Sequence, residues 1–265
     1  NPTLIAKELQ GQKLANEQEA WDLQKKIVMQ ILNIVPGAVS AEVYADKTTT
    51  AEKMIEQGRE IGKWHERIVV KLPTNKEGFK ARTTLRQEGI AINNTLVFSQ
   101  QQIFAICLHE KLAQQEYHVG NKPQPPFISP FLGRLDDRGE DGISLLRNGL
   151  HIKNTFFNPD SAWLLSSSIR NIYHVKATIG MGCDIMTAPA KVYREWFSLA
   201  PETSILEPEN PLQSIPAWEP SNELLAINTL EAFHQAIESG VLDISHPLTE
   251  AGIDKFTQDW HSILT

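Results

Sequence analysis

Short apolar runs alternate with amphipathic segments along most of the chain. The apolar runs predict strands, which we place at 39–44, 68–73, 90–98, 126–131, 162–169 and 183–188. Apolar residues at helical spacing predict helices at 16–35, 141–149, 172–180 and 190–198, and further helices around Met54, Phe79 and Ile103. Because six nearly continuous apolar strands are each followed by a helix, the pattern favours a parallel sheet covered by helices.

Two segments interrupt this alternation. Residues 110–126 are polar and end in a proline cluster, so we predict an inserted loop there. The stretch 199–222 is rich in proline, which excludes regular helix and predicts an extended arm. Two amphipathic helices, 223–238 and 248–264, are predicted after the arm. The predicted organisation is therefore a single domain over 1–265, with an arm at 199–222 and C-terminal helices in 223–265.

Composition narrows the classes of partner. A net charge of −7 argues against binding to nucleic acid or to anionic membranes. No apolar stretch approaches the roughly 20 residues of a membrane span. Cys107 and Cys183 form neither a disulfide framework nor a metal-ligand spacing, which fits a reducing compartment. We expect a cytoplasmic protein without nucleic-acid or membrane partners, and the pattern leaves homo-oligomer formation open.

One lysine lies inside an apolar run. Lys71 is flanked by Val69, Val70 and Leu72 in the predicted strand 68–73, where lysine is uncommon. Burial disfavours an ammonium group and lowers the pKa of a lysine, so that a free amine becomes available to attack a carbonyl carbon. Lys71 is therefore a candidate Schiff-base nucleophile, and the alternative is a lysine on an edge strand that points into water.

Polar residues also recur near the ends of the predicted strands. They are Glu42, Lys71, Asn93, Thr95, Ser129, Arg134, Ser168 and Arg170. In a parallel barrel, functional side chains converge at the carboxyl ends of successive strands, and phosphate often binds around the last two. The pattern therefore predicts a single site at that end of the sheet.

Three of these segments together resemble a known family. The sequences VVKLP at 69–73, NNTLVFS at 93–99 and ISPFLGRLDD at 128–137 resemble, in order and spacing, the signature blocks of transaldolases. Residues 1–4 resemble the end of the family's TTNPSL block, and 255–260 resemble the last helix of the short fructose-6-phosphate aldolase branch. The resemblance covers roughly residues 1–195 and implies an α/β fold, the (β/α)8 TIM barrel of class I Schiff-base enzymes.

The resemblance also implies roles for individual residues. Lys71 would form the Schiff base, and Glu42 and Thr95 would hold the water that moves protons. The implied substrate-binding residues are Asn1, Asn93 and Ser129 for the dihydroxyacetone unit, Phe131 beside it, and Arg134, Ser168 and Arg170 for phosphate. The implied partners are sugar phosphates, and this chemistry needs neither a metal nor an organic cofactor.

The chain departs from the family pattern at its beginning. The family has two strands before the first helix seen here, and the first of them carries an acid/base aspartate. We therefore expect that the sequence lacks its natural N-terminus and the first strands of the barrel. Three functions stay open: a transaldolase of the pentose phosphate pathway, a fructose-6-phosphate aldolase that releases dihydroxyacetone, and a non-catalytic relative. Phe131 and Glu42 favour transfer. In the aldolase branch that this chain resembles, tyrosine stands at the position of Phe131 and glutamine at the position of Glu42.

Overall fold

The computed structural model describes residues 1–117, 125–200 and 212–265. The strands in this part of the chain are β1 (Val39–Glu42), β2 (Ile68–Pro73), β3 (Ile92–Val97), β4 (Phe127–Pro130), β5 (Glu140–Asp141), β6 (Trp163–Ser166), β7 (Ile185–Met186) and β8 (Gln213–Ser214). The helices are α1 (Pro2–Leu9), α2 (Glu17–Ile34), α3 (Ala51–Gly62), α4 (Lys76–Gln87), α5 (Gln100–Tyr117), α6 (Leu132–Asp136), α7 (Gly142–Phe156), α8 (Ile172–Gly180), α9 (Ala190–Ser198), α10 (Asn222–Leu225), α11 (Leu230–Ser239) and α12 (Pro247–His261).

The main sheet has six parallel strands in the order β1-β2-β3-β4-β6-β7. It curls, because side chains from distant strands meet on its inner face: Val69, Ala91, Phe127 and Leu165 form one buried cluster, and Ile185 packs against it. Helices cover the outer face, where larger apolar clusters lie between sheet and helices. The fold is thus part of a parallel (β/α) barrel, and the prediction of an α/β fold with a parallel sheet of six strands is confirmed for the main sheet.

Local sequence explains why most helices begin where they do. Asn16, Thr50, Asn75 and Asn171 each precede a helix and accept a hydrogen bond from a backbone N–H in its first turn. Such caps satisfy donors that have no partner within the helix. The predicted helices at 172–180 and 190–198 match α8 and α9, and the strand predicted at 68–73 matches β2.

The loop predicted at 110–126 is wrong over its first part. Helix α5 continues to Tyr117, and Leu112 and Ala113 on it are buried. Glu110 is fully buried as the ion-pair partner of Arg82 and Arg86 on α4. The polar pattern gave the wrong prediction of a loop because the charged residue Glu110 faces the protein interior. Residues 118–124 lie outside the described residues.

The C-terminal part also differs from the prediction. Residues 201–211 of the predicted arm lie outside the described residues, whereas Gln213–Ser214 forms β8 and pairs in parallel with β5. The helix predicted at 223–238 is two helices, α10 and α11, because Ser221 and Thr229 each cap a separate start. Two helices that the pattern missed are α1 and the one-turn helix α6.

Helix α12 lies across the carboxyl ends of the first strands. Thr249 Oγ1 donates a hydrogen bond to the carbonyl of Leu96 at 2.9 Å, and Thr257 Oγ1 donates to that of Ala45 at 3.2 Å. Its other side meets α1, where Thr3 donates a hydrogen bond to Asp259. None of the helices in the described ranges has the length and apolar character needed to cross a bilayer.

Candidate active site

Inward-facing side chains form an apolar layer with a polar layer above it. Residues two apart on a strand share a face, and directly paired residues of neighbouring parallel strands point the same way. Val69 and Ala91 lie in the apolar layer, and two positions further along these strands come Lys71 and Asn93. The register pairs Lys71 with Glu42 on one side and with Asn93 on the other. The sheet therefore brings residues from three strands together at one level of the barrel.

Lys71 is largely enclosed. Its side chain is 12% exposed, and its Nζ lies 3.1 Å from Oε2 of Glu42, whose side chain is 4% exposed. The rings of Phe131 and Phe256 lie close to it, with centroids 5.9 and 5.8 Å from Nζ. Because β2 lies between β1 and β3, the alternative of an edge lysine pointing into water is wrong.

Glu42 is fixed at the end of β1 by its backbone. Its carbonyl accepts a hydrogen bond from Nε2 of the buried Gln24 on α2, at 3.0 Å. A buried carboxylate is costly unless it is paired, and the Lys71 ammonium provides that partner. The ion pair as a whole brings no net charge into the interior.

Asn93 stands at the centre of a short hydrogen-bond chain. Its Nδ2 donates to Ser40 Oγ at 3.0 Å, and its Oδ1 accepts from Ser129 Oγ at 2.7 Å. Thr95 follows two residues later on the same face, and its buried Oγ1 has no hydrogen-bond partner among the described residues. A buried hydroxyl without a partner is unusual and leaves a donor and acceptor free for water or a bound molecule.

The three residues assigned to phosphate lie where β4 and β6 end. Arg134 belongs to α6, and Ser168 and Arg170 belong to the loop between β6 and α8. These two segments touch at Gly133, whose N–H donates to the Ser168 carbonyl at 3.1 Å. A Cβ at Gly133 would lie 2.3 Å from Cγ of Arg170 and 2.4 Å from that carbonyl oxygen, so the contact requires glycine. Gly133 thereby holds the stem of Arg170 beside the segment that carries Arg134.

Arg170 is half-exposed and ion-paired. Its Nη2 lies 2.8 Å from Oδ2 of Asp137, which is also exposed. Its backbone N–H donates to Nδ1 of the buried His174, whose Nε2 lies 2.7 Å from Asp136. Sequence reasoning missed His174, since nothing in the pattern distinguishes it from an ordinary helix residue. Its contacts fix the loop that carries Ser168 and Arg170.

Asn1 lies close to the Lys71 and Glu42 pair. Its backbone nitrogen lies within electrostatic range of both side chains, and the residue is partly exposed. Its Oδ1 accepts a hydrogen bond from the Leu4 N–H at 3.0 Å and so caps α1. The structure therefore places Asn1 beside the predicted site with its side-chain oxygen engaged in the helix cap.

A small cavity opens beside Glu42 at the mouth of the barrel. Tyr44, Leu96 and Phe256 line it together with Glu42. The Tyr44 hydroxyl donates to Asp46 at 2.9 Å and lies 3.1 Å from Nε2 of His261. Partial burial and then the hydrogen bond to Asp46 raise the pKa of Tyr44 to about 12. These contacts fasten the end of α12 to the loop after β1.

Asp46 is an anion anchored by its own loop. Burial alone would raise its pKa, but hydrogen bonds from Thr48, Thr49 and Tyr44 outweigh burial and lower it to about 2.

The sequence pattern singled out neither Tyr44 nor Phe256 for the site. Phe256 was visible as part of an apolar helix face, but the position of that face over Lys71 depends on tertiary packing.

No group of three or more histidine, cysteine, aspartate or glutamate side chains that could hold a metal ion occurs in residues 1–117, 125–200 and 212–265.

One family model matches this chain over its full length. The family model described as transaldolase/fructose-6-phosphate aldolase matches residues 1–265. A probable transaldolase of Caldicellulosiruptor saccharolyticus is 37% identical over 196 residues, which are 74% of this chain and 76% of the relative. A probable transaldolase 2 of Listeria monocytogenes is 36% identical over 199 residues, 75% of this chain and 77% of the relative. This chain belongs to the transaldolase/fructose-6-phosphate aldolase family.

Proposed function

We propose that the protein is a transaldolase, which transfers a dihydroxyacetone unit from a ketose phosphate to an aldose phosphate through a Schiff base on Lys71. The observation that carries the proposal is the position of Lys71: inside the barrel, 3.1 Å from Glu42 and close to two phenylalanine rings. Donors and acceptors of the pentose phosphate pathway, such as sedoheptulose 7-phosphate and glyceraldehyde 3-phosphate, fit this role.

The first steps need a proton acceptor and a water molecule. The Lys71 amine adds to the ketone carbon, and the resulting carbinolamine loses water to become the imine. Glu42 is close enough to take the proton that the ammonium must lose and to return one to the departing hydroxyl. The unpartnered hydroxyl of Thr95 would hold the water that shuttles these protons.

Asn93 and Ser129 support binding of the three-carbon unit. Their side chains already contact each other at 2.7 Å beside the level of Lys71, and both are buried. A substrate hydroxyl can join this pair without leaving either group unsatisfied, since an amide has two donors and a hydroxyl two lone pairs. Asn1 would complete the subsite from the side of α1.

Arg134, Ser168 and Arg170 would bind the phosphate at the far end of the substrate. The guanidinium fork of arginine matches phosphate oxygens and forms charge-assisted hydrogen bonds with them. Arg170 would exchange its exposed partner Asp137 for the phosphate, and this surface pair is weak enough to be replaced.

Transfer is favoured over release because of Phe131. Its ring faces Lys71 and offers no proton, so the bound enamine can survive until an aldehyde acceptor arrives. Glu42 also supports this assignment, since the aldolase branch that this chain resembles has glutamine at the position of Glu42.

The test is trapping of the imine on a single lysine. Borohydride added with fructose 6-phosphate, or with dihydroxyacetone, should leave a reduced three-carbon or sugar adduct on Lys71, identified by peptide mass spectrometry, and should inactivate the protein. Lys71→Arg keeps the charge but lacks an amine that can be deprotonated, so it should give neither adduct nor turnover. Lys153→Arg is the matched control, because Lys153 is also buried but is bound by Asp184 behind the sheet. An adduct on another lysine, or none, would refute the mechanism.

A further inference from the structure

The C-terminal helix supplies one wall of the lysine site. Phe256 is 6% exposed, and its ring centroid lies 5.8 Å from Nζ of Lys71. Phe256 also lines the small cavity beside Glu42. The only apolar ring that the signature segments bring to Lys71 is Phe131, so Phe256 adds a second ring from a distant part of the chain.

The position of Phe256 is set by close contacts of α12 with the barrel mouth. One turn before Phe256, a Cβ at Gly252 would lie 2.5 Å from Cδ2 of Leu96, so helix and strand approach as closely as glycine allows. Leu96 itself has a φ of 58°, a left-handed conformation that is rare for leucine and has to be held by its surroundings. Thr249 helps to hold Leu96 in this conformation, since its hydroxyl donates a hydrogen bond to the Leu96 carbonyl.

We propose that Phe256 is a specificity-determining residue, which shields the three-carbon enamine on Lys71 from water and so favours its transfer to an aldehyde. This inference rests on the proposed Schiff-base function. Phe131 and Phe256 then act as a pair, one from the residue that follows β4 and one from α12, and both rings lie within 6 Å of the lysine nitrogen.

Two fates compete for the enamine. In transfer, the electron pair of the enamine carbon forms a bond to the aldehyde carbon, the aldehyde oxygen takes a proton, and water then hydrolyses the new imine. In release, the same carbon takes a proton from water, and a second water adds to the imine carbon and breaks the C–N bond, which frees dihydroxyacetone and the Lys71 amine. Both routes end in hydrolysis, but release needs water beside the enamine before an acceptor arrives. An apolar wall at that place therefore acts on the ratio of the two rates.

The experiment compares that ratio in Phe256→Ala, Phe256→Leu and the unmodified protein. Free dihydroxyacetone formed from fructose 6-phosphate without acceptor measures release, and sedoheptulose 7-phosphate formed from fructose 6-phosphate with erythrose 4-phosphate present measures transfer. We expect Phe256→Ala to raise the ratio of release to transfer by about ten-fold, and Phe256→Leu by about three-fold. Ile253→Ala is the matched control, because Ile253 is equally buried on α12 but places no ring over Lys71.

The outcomes separate the two proposals. An unchanged ratio in folded Phe256→Leu, or a change no larger than that in Ile253→Ala, would overturn the role of Phe256 even if borohydride still traps an adduct on Lys71. Failure of the unmodified protein to form that adduct would instead overturn the Schiff-base function itself. Should Phe256→Ala not fold, as judged by circular dichroism, the leucine variant decides the question.

Discussion

Replacing Glu110 by glutamine should destabilise the protein far more than the loss of an ordinary ion pair. Glu110 is fully buried on α5, and its carboxylate accepts hydrogen bonds from Arg82 Nη2 at 2.8 Å and from Arg86 Nε and Nη2 at 3.0 and 2.6 Å. Gln114 adds a fourth, at 3.1 Å. These contacts join α4 and α5, which flank β3, the strand that carries Asn93 and Thr95.

The expected loss in the free energy of unfolding follows from the buried arginine groups that remain after the substitution. Glutamine has the same shape, but its amide group turns one acceptor into a donor that faces the arginine donors. Burial already lowers the pKa of Arg82, and the Glu110 carboxylate opposes that effect. Nε and Nη1 of Arg82 have no partner among the described residues even with Glu110 in place. Breaking a buried pair in this way costs about 3–5 kcal/mol, because an uncompensated charge stays inside.

The assay is urea unfolding followed by circular dichroism. With a slope of about 3 kcal/mol per molar urea, the loss corresponds to a midpoint lower by roughly 1–1.7 M. Glu88→Gln is the control, because Glu88 makes a comparable two-pronged pair with Arg59 at the surface. We expect that variant to lose about 1 kcal/mol or less. Equal shifts in the two variants would refute the reasoning that burial, rather than hydrogen-bond count, sets the cost.

Two further predictions concern the substrate. Arg170→Ala should raise KM for phosphorylated donors by about ten-fold or more, since a charge-assisted hydrogen bond contributes roughly 1.5–3 kcal/mol, and should hardly change imine formation by dihydroxyacetone. The neighbouring exposed Arg138→Ala is the control, and an equal loss for both substrates would show that Arg170 is structural. Phe131→Tyr should raise release of dihydroxyacetone relative to transfer, because the new hydroxyl can donate a proton or order a water beside Lys71. Comparable rates of release and transfer in the unmodified protein would overturn the transferase assignment.

The strands were predictable because their signal is local. Apolar β-branched runs bounded by charge, glycine and proline located all six strands of the main sheet, and the strand–helix alternation indicated that they are parallel. The errors arose where tertiary contacts override local pattern. Glu110 is charged but buried between two arginines, and the polar stretch around it is therefore helical up to Tyr117.

The site was predictable to the extent that it is built from strands. Once the sheet is parallel, register alone brings Glu42, Lys71 and Asn93 to one level, and the structure shows that pairing. Residues that reach the site from helices have no comparable signal in the sequence. His174 and Phe256 owe their positions to the packing of α8 and α12, which hydrophobic periodicity places on a core but not against a particular neighbour.

The enclosure of Lys71 explains why its partner is a carboxylate rather than a neutral group. An isolated ammonium in a shell formed by Phe131, Phe256 and the apolar layer would be strongly disfavoured, whereas the pair with Glu42 carries no net charge. In the proposed reaction the same two rings would also keep water away from the enamine. A polar substitution for either phenylalanine should then weaken both effects together, since water that reaches Lys71 stabilises its charged form and also supplies the proton for release.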